Sequence, residues 1–124
     1  FPVILHHLET ASELLFPELL TAIENIWDNY YPIGEQKDLP FYLGMLLYNM
    51  GYYPEALEYL NYSCQLFGDE ASTFYNMGMC HYRLRQLNEA LEYINRSIEL
   101  DQEFEAAKRM RIKIQSELKR RRGF

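Results

Sequence analysis

Residues 41–68 read FYLGMLLYNMGYYPEALEYLNYSCQLFG and residues 75–102 read YNMGMCHYRLRQLNEALEYINRSIELDQ; laid over one another at an offset of 34, they agree at 11 of 28 positions. The matches include Gly44/Gly78, Met45/Met79, Tyr48/Tyr82, Ala56/Ala90, Tyr59/Tyr93 and Ser63/Ser97. A period of this length is that of a helix, a turn and a second helix. Each unit places a glycine on its first helix and an alanine twelve residues later on its second. Small residues facing one another let two antiparallel helices close tightly, because the interaxial distance of roughly 8–10 Å is set by the side chains at the crossing. A lone hairpin of this size cannot bury its own apolar face, so each must stack on its neighbour.

The pattern Gly44…Ala56 and Gly78…Ala90 in a 34-residue period resembles the tetratricopeptide repeat. That resemblance implies an all-α fold of helical hairpins stacked into a short right-handed superhelix, here of about seven helices. It implies a non-catalytic module that binds a protein or peptide on a concave face lined by the first helix of each hairpin. Carried over by register, the partner-binding residues are Phe41, Met45, Tyr48 and Asn49 of one unit and Tyr75, Asn76, Met79, Tyr82 and Arg83 of the next. Arg109 and Lys113 of the last helix border them. Methionine and aromatics give an adaptable apolar groove, and a basic edge can hold a carboxylate. The alternative for several of these aromatics is packing against their neighbours. One subfamily grips chaperone C-termini through basic and amide residues on this face. Only Asn76 meets that pattern here, with Phe41 and Met45, and Ala106 and Met110, taken as the departing positions.

The rest of the chain falls into place around the repeats. Residues 37–70 and 71–104 are the two clear units, 1–36 a degenerate N-terminal helical pair and 105–124 a C-terminal capping helix. In the first part, Ile4, Leu5, Leu8, Ala11 and Leu15 recur at helical spacing, and so do Leu19, Leu20, Ile23, Ile26, Trp27 and Tyr30 after Phe16-Pro17. Residues 31–38 lack periodicity and read as a loop. Helices are expected near 39–50, 54–67, 71–84, 88–101 and 104–121. Gly51 should end the first, Pro54 open the second, Gly68 close the unit and Asn88 cap the fourth. The last carries an apolar stripe of Ala107, Met110, Ile114 and Leu118 with a basic remainder, as a solvating cap requires.

Composition narrows the function further. With 124 residues and 48% hydrophobic side chains, the chain suits one domain with a core. Its net charge of -6 hides a polarity: residues 1–105 carry 4 basic and 17 acidic side chains (-13), residues 106–124 carry 8 basic and 1 acidic (+7). The apolar runs fall far short of the roughly 20 residues of a membrane span. No signal peptide stands out, so a cytoplasmic, intracellular setting is expected; the start at Phe1 suggests a piece of a longer protein. Cys64 and Cys80, inside predicted helices, read as small buried apolar residues rather than a disulfide. His6 and His7 are adjacent, about 100° apart on a helix, and do not chelate as a pair spaced by four would. No phosphate loop or nucleophile motif is present, so neither enzyme activity, nor a metal, nor a cofactor is expected. Two alternatives to peptide binding stay open. One is a self-associating scaffold, a homo-oligomer formed through an apolar end or the helices around Trp27. The other is electrostatic binding of nucleic acid or acidic lipid through Lys119-Arg120-Arg121-Arg122, which the acidic body disfavours.

Overall fold

The computed structural model describes residues 39–122, which form five helices and no strand. They are α1 (Leu39–Asn49), α2 (Tyr53–Phe67), α3 (Ala71–Arg83), α4 (Leu87–Leu100) and α5 (Glu105–Arg121). The all-α class and the helical-hairpin architecture are as expected from sequence. About seven helices were expected for the whole chain against five among the described residues, and the helical pair anticipated over 3–30 lies outside them.

The two hairpins turn by the same device. Gly51 N–H donates to Tyr48 O at 3.0 Å and Tyr52 N–H to Leu47 O at 2.9 Å; one period later Arg85 N–H donates to Tyr82 O at 3.0 Å and Gln86 N–H to His81 O at 2.9 Å. This is a helix C-terminus closed by a left-handed residue, here Gly51 at φ 87° and Arg85 at φ 64°. Pro54 lies in the first turn of α2, where its missing N–H costs nothing. The cap expected at Asn88 is not made. α4 starts one residue earlier, with Gln86 before it and no side-chain cap, because the tight turn delivers Leu87 directly into the core.

The small residues sit where close approach demands them. A Cβ added at Gly44 would lie 2.8 Å from Leu60 Cγ and 3.2 Å from Ala56 O; one added at Gly78 would lie 2.9 Å from Ile94 Cγ1 and 3.2 Å from Ala90 O. The contact is the same in both hairpins, shifted by one period. Around it the core gathers in two clusters. The first joins Leu43, Leu47, Ala56, Leu60, Phe74, Met77 and Cys80 from α1, α2 and α3. The second joins Tyr82, Leu87, Ala90, Ile94, Ala107, Met110 and Ile114 from α3, α4 and α5. Each second helix is thus covered by its own first helix and by the first helix of the next unit. Burying Ile94 completely is worth about 1.5–3 kcal/mol. Ser97, also fully buried, donates from Oγ to Ala71 O at 2.7 Å and ties the end of α4 to the start of α3.

Candidate functional site

α1, α3 and α5 line up through their own side chains. Arg83 Nε on α3 donates to Tyr48 Oη on α1 at 3.1 Å. One period on, Tyr82 Oη on α3 donates to Glu117 Oε1 on α5 at 2.8 Å. Arg83 and Glu117 are themselves 34 residues apart, so the repeated tyrosine reaches the same point on the next first helix each time. The Tyr48 contact raises the already high pKa of the Arg83 guanidinium, chiefly through that hydrogen bond. Lys113 Nζ lies 5.4 Å from the centre of the Tyr82 ring. Tyr48 also meets the edge of Tyr53 at 5.4 Å.

The residues singled out from sequence divide into two groups. Met79, Tyr82, Arg83 and Lys113 converge on one depression of about 240 Å³ between α3 and α5, together with Arg85 and Met110. Met79 and Met110 give it an apolar floor and the three cations a positive rim. Tyr82 is mostly consumed by packing, since it is 9% exposed and belongs to the second core cluster. Asn49 and Arg109 are exposed on the first helices, and Met45 is half-buried. Asn76, half-buried, spends its Nδ2 on the Ser72 carbonyl of its own helix at 2.9 Å. Tyr75 packs on Phe104 with ring centres 5.0 Å apart. Phe41 is not brought to the depression; it packs against the first core cluster and lines a separate hollow of about 210 Å³ with Tyr42, Ser63 and Phe67.

Two periods on from Phe41 and Met45 stand Arg109 and Lys113, both exposed, whereas Ala106 is half-buried and Met110 buried. Sequence reading missed Arg85, although the signal was there: it stands one period after Gly51, at a position whose backbone favours glycine.

Electrostatics around the two thiols are those of structural cysteines. Burial pushes the Cys80 thiol up to about 12, and burial, with Asp69 nearby, raises Cys64 as well. Both are free. Among the described residues no helix is long and apolar enough to cross a membrane.

Hairpins repeated at one register, with first helix joined to first helix, define a helical-repeat protein, whose stacked units create extended surfaces for other molecules. Residues 71–104 match the family model described as tetratricopeptide repeat, which supports reading these helical hairpins as repeats of that kind. The hairpin α1–α2 repeats the same contacts one period earlier. Such repeats generally mediate protein–protein interaction and are typically non-catalytic. A comparison with curated proteins gives no match.

Proposed function

We propose that the wall formed by α1, α3 and α5 holds a polypeptide segment of a partner protein and catalyses nothing itself. The observation that supports this best is the depression between α3 and α5, where a methionine floor meets a rim of Arg83, Arg85 and Lys113. Methionine adapts to varied apolar side chains, and guanidinium or ammonium groups pair with carboxylates. Met45, Asn49 and Arg109 extend the wall on either side. The repeat units are residues 37–70 and 71–104, and α5 acts as the cap. In favour of the cap, the α5 position equivalent to Gly44 and Gly78 is Ile112, 63% exposed, and around it lie the polar Lys108, Arg111 and Gln115. The two free thiols fit an intracellular, reducing setting.

Affinity capture with the full chain tests the reading. Met45→Glu with Arg109→Glu should lose partners that the unaltered chain retains, and Glu58→Arg on the outer face of α2 should keep them. Equal capture by both variants would refute the wall as the binding surface. Tyr48 and Tyr82 are poor choices for this test, because removing them also loosens the contact between successive units.

A further inference from the structure

Arg85 holds a backbone conformation that its side chain makes costly. At φ 64° it lies in the left-handed region, and the corresponding residue one period earlier is Gly51 at φ 87° with the same pair of backbone hydrogen bonds. Glycine adopts this region freely, whereas other residues pay for it. The turn needs only the conformation, so an arginine there directs attention to what its side chain does.

That side chain lies where two hollows meet. It lines the depression of about 240 Å³ with Met79, Tyr82, Arg83, Met110 and Lys113. It also lines a second, of about 290 Å³, with Leu87, Glu117, Arg120 and Arg121. Among the described residues, Arg83, Arg85, Lys113 and Arg121 have no carboxylate within ion-pair distance, and Arg120 has only Glu117 at 3.9 Å. Glu117 is already engaged by the Tyr82 hydroxyl. Five cations therefore face one committed carboxylate, although residues 1–105, which include two of the five, sum to -13.

We propose that Arg85, with Arg83, Lys113, Arg120 and Arg121, extends the basic rim of that depression past the end of the wall, where it receives the acidic side chains of the bound polypeptide segment. The proposal rests on the groove reading and names the ligand's chemistry: a run of Glu or Asp beside an apolar residue. Charge complementarity selects the acidity, and the floor of Met79, Met110 and Leu87 selects the apolar anchor. A phosphate polymer fits less well, because the acidic remainder of the chain repels a long polyanion and the apolar floor would go unused.

The probe is a fluorescein-labelled dodecapeptide of alternating Glu around a central Leu-Phe pair, with its Gln counterpart as control, read by fluorescence anisotropy on the full chain. Arg85→Gly should move stability and binding in opposite directions. Tm should rise by about 3–6 °C as the left-handed strain is relieved, and affinity for the Glu peptide should fall by about 3–10-fold. Binding of the Gln peptide should not change between the two proteins. Arg120→Gln with Arg121→Gln should weaken the Glu peptide similarly. Unchanged affinity in Arg85→Gly, no preference for Glu over Gln, or a lowered Tm would overturn the proposal. Tighter binding of oligo-dT or of phosphatidylserine vesicles through the same arginines would replace the acidic polypeptide as ligand. If Arg109→Glu abolishes binding and Arg85→Gly does not, the wall stands as the binding surface and the acidic-ligand role of this rim falls.

Discussion

Replacing Gly78 by alanine pits two opposing effects against each other, and the structure says which wins. In a helix interior the change gains about 1 kcal/mol from propensity alone. Here, however, the new Cβ would sit 2.9 Å from both Ile94 Cγ1 and Cδ1 and 3.2 Å from Ala90 O. Carbon atoms pack best at about 3.5–4.0 Å, so something must shift, and overpacking of this kind costs about 1–3 kcal/mol. Gly78→Ala should therefore destabilise the protein by about 1 kcal/mol net. Ile94→Ala alone should cost about 2–5 kcal/mol by leaving a cavity. In that background both offending carbons are gone, and Gly78→Ala should become stabilising, by up to about 1 kcal/mol. Urea unfolding followed by circular dichroism at 222 nm measures all four proteins of the cycle. The coupling should be about 1–2 kcal/mol with a reversal of sign. A Gly78→Ala effect of the same sign and within about 0.5 kcal/mol in both backgrounds would mean that α3 and α4 do not meet at this point.

Three further outcomes follow from single contacts. Ser97→Ala removes the bond to Ala71 O in a fully buried place and should cost about 1–2 kcal/mol in the same unfolding assay, with Ser97→Thr as a poor rescue for want of room. Tyr82→Phe removes the hydroxyl held by Glu117 and should cost about 1–2 kcal/mol, and in a Glu117→Gln background the same change should cost less. Cys80, whose thiol is pushed from 9.0 to about 12 by burial, makes stability fall at alkaline pH. Its folded pKa is above the unfolded one, so its contribution is complete below about 9 and is lost as pH climbs toward 12. Each pH unit in that window should cost up to about 1.4 kcal/mol relative to a Cys80→Ala protein measured in parallel.

The fold was legible because its constraints are local and repeat. Two small residues at a crossing and a buried serine each restrict a position to few residue types, so their recurrence at 34 survives in the sequence. The start of α4 was misread at Asn88, since a capping side chain competes with the demand to bury Leu87, and only packing decides between them. The candidate site was legible as a set of helices more than as a set of atoms. Tyr48 and Tyr82 fall among the partner-binding residues when these are carried over by register, and in the structure each also contacts the next first helix. Phe41 and Tyr75 likewise serve packing. The more informative positions are those where equivalent residues differ without structural need, such as Gly51 against Arg85.

The most direct test of the central idea, that one wall of joined first helices receives another polypeptide, is amide chemical-shift mapping on the full chain titrated with the polypeptide recovered by affinity capture. The account predicts shifts gathered on α1, α3 and α5, at Met45, Asn49, Met79, Arg109 and Lys113, with the outer positions Glu58 and Glu92 unmoved. Shifts confined to α2 and α4 would contradict it.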